Sequence, residues 1–90
     1  MSKRLHLIIS GQVQGVSFRF YAQQEATELN IKGFARNSAE EAVEIVAEGE
    51  ENSLKAFLEW CQKGSPFAKV KKVESQWHDS TGEFESFEIL

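Results

Sequence analysis

Cysteine is nearly absent: Cys61 is the single one in 90 residues. No intrachain disulfide can form, and no set of thiolates can cage a metal. Long apolar runs are missing too, since no segment approaches the ~20 apolar residues that a membrane span needs. Met1-Ser2-Lys3-Arg4 precedes only a short apolar stretch from Leu5 to Ile9, which contains His6 and has no small-residue cleavage site. That is a poor secretory signal, so the expected compartment is cytoplasmic, with no membrane partner. Positive charge is in short supply. Ten Lys and Arg face fourteen Asp and Glu, for a net charge of -4, and the pI is near 5.1. Acidic residues cluster at Glu40-Glu41 and from Glu48 to Glu51. Nucleic-acid binders carry a basic face and a high pI, so no nucleic-acid partner is expected. The basic run Lys69, Lys71 and Lys72 lacks interleaved aromatics and reads as the solvated face of a strand.

What is there suffices for a core. The hydrophobic fraction is 41%, and seven Phe and two Trp add aromatic area that a chain of this size can bury. No repeat, low-complexity tract or linker divides residues 1–90, which read as one domain of cytoplasmic, monomeric type.

Periodicity supplies the elements. Leu5, Leu7 and Ile9 alternate with His6, Ile8 and Ser10, a strand pattern broken from Gly11 to Gly15. Ser17, Phe18, Ala22, Ala26 and Leu29 then recur at helical spacing, with Ser17 expected as the cap and an end near Asn30. Residues 31–37 and 42–48 read as two strands of an antiparallel hairpin. Leu54, Phe57, Leu58 and Cys61 mark a second helix, capped by Asn52 or Ser53 and stopped by Gly64 and Pro66. Residues 68–77 form a fourth strand, where Val70 and Val73 break strict alternation and point to a bulge. A short last strand covers residues 84–89. The expected fold is therefore α+β, a βαββαβ sandwich with two helices on one face of an antiparallel sheet. That scaffold assigns no function by itself.

The chemistry concentrates in Gly11-Gln12-Val13-Gln14-Gly15-Val16-Ser17-Phe18-Arg19, between the first strand and the first helix. Two glycines allow positive φ, so successive N–H groups can turn toward one point. The following helix offers unpaired N–H groups and the positive end of its dipole, and Arg19 a planar fork matched to phosphate. At about 1.5–3 kcal/mol per hydrogen bond to a charged group, a few amides plus Arg19 give on the order of 6–10 kcal/mol before ordering costs. A tight turn with a solvent-facing arginine fits the loop's composition equally well. No Gly-Lys-Ser/Thr ending or dinucleotide fingerprint is present, and no cysteine precedes Arg19 to form a phosphocysteine. Cys61, on an apolar helical stripe, is assigned to the core.

Ile9 through Arg19 resembles the first acylphosphatase signature, apolar-x-Gly-x-Val-Gln-Gly-Val-x-Phe-Arg, at every specified position. Gly33-Phe34-Ala35-Arg36-Asn37, with Val43 and Gly49 downstream, resembles the second signature, and Gly82-x-Phe84-x-x-Phe87-x-Ile89 the family's C-terminus. One position departs: Glu41 stands where the family usually has a turn glycine, so a turn of another type or greater length is expected there.

The resemblance implies a ferredoxin-like fold and a metal-independent hydrolase that splits acyl phosphates into a carboxylate and inorganic phosphate. It implies Arg19 and Asn37 as catalytic residues. The phosphoryl group would lie against Gln14, Gly15, Val16, Ser17, Phe18 and Arg19, with Asn37 orienting the attacking water. Small acyl phosphates are then the substrates, inorganic phosphate is product and inhibitor, and no cofactor is implied. Without the resemblance, Asn37 reads as a polar residue ending a strand. Ser17 has no His or Lys at activating spacing. His6 and His78 show no ligand spacing, and Glu40-Glu41 suits a solvated turn. A non-catalytic phosphate- or acyl-phosphate-binding module is the alternative, since the same fold resembles a domain of the longer hydrogenase-maturation carbamoyltransferases. RNA binding on the open sheet is opposed by the acidity.

Overall fold

In the computed structural model, which describes residues 2–39 and 41–90, the alternating segments pair as strands and the periodic ones coil onto them. Seven elements follow in order: β1 (Ser2–Gln12), α1 (Phe18–Glu28), β2 (Lys32–Ser38), β3 (Ala42–Glu50), α2 (Glu51–Lys63), β4 (Lys69–Asp79) and β5 (Phe87–Ile89). The sheet runs β4-β1-β3-β2-β5. Its pairings are antiparallel except at β2–β5, which is parallel, so the short fifth strand makes the sheet mixed. The sandwich read from the sequence is the one observed.

Both helices cover one face. Leu5, Leu7 and Ile9 of β1 and Val43, Ile45 and Ala47 of β3 are fully buried against Phe18, Ala22 and Ala26 of α1 and Leu54, Phe57 and Cys61 of α2. Phe57 stacks on Trp60 with ring centroids 6.1 Å apart and meets Phe87 edge-on at 6.0 Å. Burial pushes the Cys61 thiol up, with Glu25 adding to it, so the core assignment stands.

The ends of elements hold most of the surprises. α1 finishes where expected, in a Schellman motif. Asn30 takes φ 59°, its N–H bonds Thr27 O at 3.1 Å, and the Ile31 N–H reaches back to Ala26 O at 2.8 Å. The start differs. Ser17 occupies the cap position in a left-handed conformation and makes no side-chain capping bond. A serine oxygen reaches the N2 or N3 amide only from an extended backbone, so the expected cap is absent. At α2 the helix starts at Glu51 with Glu50 as the flanking residue, so Asn52 and Ser53 lie inside its first turn rather than before it.

In β4 the expected bulge is present. Ser10 pairs with Lys72 but Gly11 with Val70, leaving Lys71 as the extra residue. Lys69, Lys71 and Lys72 are exposed on this edge strand, as a solvated face requires. The last strand is shorter than read, because residues 81–83 are held by Glu48 and Arg4 and contact with β2 resumes only at Ser86, whose O accepts from the Gly33 N–H at 3.0 Å. The Glu48 carboxylate, on the face away from the helices, accepts bonds from the N–H groups of Thr81 and Gly82 at 2.9 and 3.0 Å. Arg4 Nε adds a bond at 2.7 Å, and the Arg4 guanidinium lies 5.3 Å from the Phe84 ring centre. In the hairpin, Ser38 faces Ala42 and Glu41 takes φ 58°. At the position where glycine was expected, glutamate itself adopts the left-handed region. Glu41 is solvent-exposed, while Glu40 lies outside the described residues.

Candidate active site

The loop from Val13 to Ser17 joins the end of β1 to α1 beside the β2–β3 hairpin. Gly15 adopts φ 75° and Ser17 φ 60°, so the backbone turns twice through the left-handed region within three residues. Gly15 is required by conformation, since a Cβ there would meet nothing within 4 Å. Gly11 is required by space as well, since its Cβ would stand 2.2 Å from Lys69 O on the bulged strand. Val13 is buried and pins the loop from below. From the other side, Ser65 Oγ donates to Val16 O at 2.8 Å, and Ser65 is only 3% exposed.

These constraints shape a cavity of about 360 Å³ walled by Gly15, Ser17, Arg19, Phe20, Asn37 and Ile89, with Val13 and Phe18 completing it. Arg19 and Asn37 thus share one concavity although seventeen residues separate them in sequence. Arg19 is half-buried, and its Nη1 donates to Leu90 O at 2.8 Å, while the Leu90 N–H bonds Ala35 O at 2.9 Å. One edge of the guanidinium is thereby fixed, and among the described residues its remaining donors have no partner. Among the described residues the Asn37 carboxamide has no side-chain partner, and it is exposed. Ser17 supplies no cap and no acidic residue lies in the first turn of α1, so among the described residues neither offsets that positive end.

Two residues expected at the phosphate are not on the wall. The Gln14 side chain is turned to the hairpin, donating to Ser38 O at 2.8 Å and Ala42 O at 2.9 Å. Val16 is half-buried against the core. Gly15, Ser17, Phe18 and Arg19 do line the cavity. Sequence reasoning missed Phe20, Ile89, Leu90 and Ser65. Helical spacing places Phe20 off the apolar stripe of α1, a usable signal, but the other three depend on pairings with distant segments.

Other polar groups are accounted for elsewhere. His6 Nε2 lies 2.7 Å from Glu44 Oε2, and Arg36 Nε donates to Glu44 Oε1 at 2.5 Å, on the face away from the helices. The bond to His6, reinforced by Arg36, holds the Glu44 carboxyl below its ordinary range against the opposing effect of burial. His78 is exposed on β4. Among the described residues no three His, Cys, Asp or Glu side chains converge as a metal site. A larger groove of about 620 Å³ lies at the opposite end of the sheet, beside Lys3, Lys55, Trp77 and His78. Its lysines are already matched, Lys3 with Asp79 at 4.0 Å and Lys55 with Glu51 at 3.1 Å. The smaller cavity, where Arg19 keeps a free edge and no acidic side chain lines the wall among the described residues, is the better anion site.

Known proteins share this sequence pattern and fold. The family model described as Acylphosphatase matches residues 5–89. An acylphosphatase from Syntrophobacter fumaroxidans is 46% identical over 87 residues, spanning 97% of this chain and 90% of that protein. The crystal structure of acylphosphatase from Bacillus subtilis matches with a TM-score of 0.94 at 38% identity, covering 98% of each chain. Full-length HypF, in its phosphate- and nucleotide-bound form, contains a region with a TM-score of 0.90 at 25% identity. That match covers 100% of this chain and 12% of HypF.

Proposed function

Because this chain belongs to the acylphosphatase family, we propose that it hydrolyses acyl phosphates by direct attack of an Asn37-oriented water on a phosphoryl group held by Arg19 and the loop. Family and fold together support acyl-phosphate hydrolysis, and the roles of individual residues follow from charge and geometry. The phosphoryl oxygens lie against main-chain N–H groups of Gly15 and of residues 17–19, which line the cavity, and the free edge of the Arg19 fork. As water attacks, negative charge spreads over three equatorial oxygens, which fixed donors stabilise without reorganising.

Water forms the new P–O bond, and the bond from phosphorus to the acyl oxygen breaks with its electron pair going to the carboxylate. A carboxylate with a pKa near ~4 leaves without help from a general acid. Asn37 aims the water without adding negative charge beside a dianion. An amide is too weak a base to take the proton, so a phosphoryl oxygen of the substrate receives it. Inorganic phosphate then occupies the same donors and competes with the next substrate. No step calls for a metal, and one chain supplies every residue named.

The supporting observation is the convergence of Arg19, Asn37, Gly15 and Ser17 on one cavity. The test is hydrolysis of acetyl phosphate or benzoyl phosphate by the purified protein in EDTA, and substrate loss above a buffer blank is expected. Loss equal to the blank overturns the reading. The second reading, a phosphate-binding module without turnover, draws on the HypF match, where the same fold forms part of a far longer chain in a phosphate-bound state. Calorimetric phosphate binding without hydrolysis would select it.

A further inference from the structure

We infer that Gln14 is a positioning residue, which sets the distance between the phosphate loop and Asn37 by fastening that loop to the root of the β2–β3 hairpin. This rests on the acyl-phosphate reading above and adds a role for a side chain that never touches substrate. Gln14 is not on the cavity wall. Its single nitrogen donates in two directions, to Ser38 O at 2.8 Å and to Ala42 O at 2.9 Å. Ser38 and Ala42 face each other as the last pair of the hairpin, and Asn37, paired with Val43, is the adjoining rung.

Both N–H groups of one carboxamide therefore clamp the two strands at the rung next to Asn37. Among the described residues this is the one side-chain hydrogen-bond link between residues 13–18 and the hairpin. The arrangement needs a donor pair on a side chain of glutamine's reach. Glutamate has the reach but would set carboxylate oxygens against two carbonyl oxygens. Leucine has the bulk and no donor.

In-line attack needs water within about 3–3.5 Å of phosphorus, and an error near 1 Å costs on the order of 100-fold. The phosphate donors lie on the loop side of the clamp and the water-holding amide on the other. Releasing the clamp leaves the anion's own contacts in place and lets the amide drift. The signature is loss of turnover with binding largely retained.

Gln14→Leu is expected to lower kcat about 10- to 100-fold while changing KM less than about threefold. The decisive measurement repeats the substitution in an Asn37→Ala background. If Gln14 acts through Asn37, the double variant loses less than about twofold further, because the aim being spoiled is already gone. A residue that merely supports the fold would multiply its loss in both backgrounds. Wild-type kcat in Gln14→Leu, a loss confined to KM, or an undiminished effect on top of Asn37→Ala each overturns the inference. Gln14→Glu, of native length, carries the same cycle where Gln14→Leu does not fold by circular dichroism. Wild-type protein inactive toward acetyl phosphate would sink the acyl-phosphate reading itself, a result distinct from active wild type with an indifferent Gln14.

Discussion

Arg19 and Asn37 divide the proposed reaction between holding and aiming, and their substitutions should separate the two. Removing the Asn37 carboxamide takes away the water's anchor while the loop amides and Arg19 continue to hold phosphate. Asn37→Ala is therefore expected to reduce kcat at least about 100-fold with KM within about threefold, read from initial rates on acetyl phosphate. Arg19 binds in the ground state and more strongly as charge builds, so Arg19→Ala should raise KM and lower kcat together. Arg19→Lys keeps the charge but not the planar fork, and only a small part of the loss should return. Near-wild-type rates in Arg19→Lys would mean that charge alone suffices and the fork geometry is irrelevant. Both residues were legible in the sequence because each sits in a short run whose identities carry the resemblance. Gln14 was legible as part of that run but not as a clamp, since Ser38 and Ala42 lie more than twenty residues away. The expected cap at Ser17 failed for a local reason. The φ of 60° that turns the loop also turns the hydroxyl away from the amides it would have served.

Elements were legible where one face is buried and the period is long enough to count, as in β1, α1 and α2. The stretch around Thr81 and Gly82 defeated that approach, because both residues are held by the Glu48 carboxylate rather than by a pattern of their own. Burial alone would push the Glu48 carboxyl up. Bonds from the Thr81 N–H, Arg4, the Gly82 N–H and the Thr81 hydroxyl outweigh it and hold the group below its ordinary value. A depressed carboxyl contributes stability that is fully present above the unfolded-state value of about 4.3 and is lost as pH falls through the folded-state value. Glu48→Gln should cost on the order of 1–3 kcal/mol at pH 7, with the deficit in Tm shrinking below about pH 4 as the wild-type carboxyl protonates. An equal deficit at pH 7 and pH 3 would show that ionisation of Glu48 contributes nothing to that strap. The hairpin gives an opposite case. Glu41 holds φ 58°, which a residue with a Cβ adopts at a cost, so Glu41→Gly should raise stability by on the order of 0.5–1 kcal/mol in urea melts. Destabilisation instead would mean that glycine's freedom in the unfolded chain outweighs the relief.

The whole molecule explains why the site forms where it does. Order β4-β1-β3-β2-β5 places the end of β1 beside β3 and the end of β2 on β3's other side, so loop and hairpin emerge together. The parallel pairing of β5 with β2 then carries Ile89 and Leu90 to the same end of the sheet, and Leu90 to Arg19. Periodicity does not encode a three-residue parallel strand, which is why that contact was illegible while the sandwich was not. The same architecture provides an internal gauge of cooperativity. Cys61 is 0% exposed within the cluster that joins α1, α2, β1 and β3. Its thiol is held protonated by burial, with Glu25 adding to the effect, and a protonated thiol is a poor nucleophile. Labelling by a thiol reagent must then await an opening that lifts α2 from the sheet. Because both helices share one core with β1 and β3, that opening should be global unfolding rather than local fraying. The free energy from labelling rates, in the regime where reclosing outpaces labelling, should match that from urea denaturation, with the same dependence on urea. A labelling free energy well below the equilibrium value, with a shallow urea slope, would show α2 opening on its own and the core dividing into two parts.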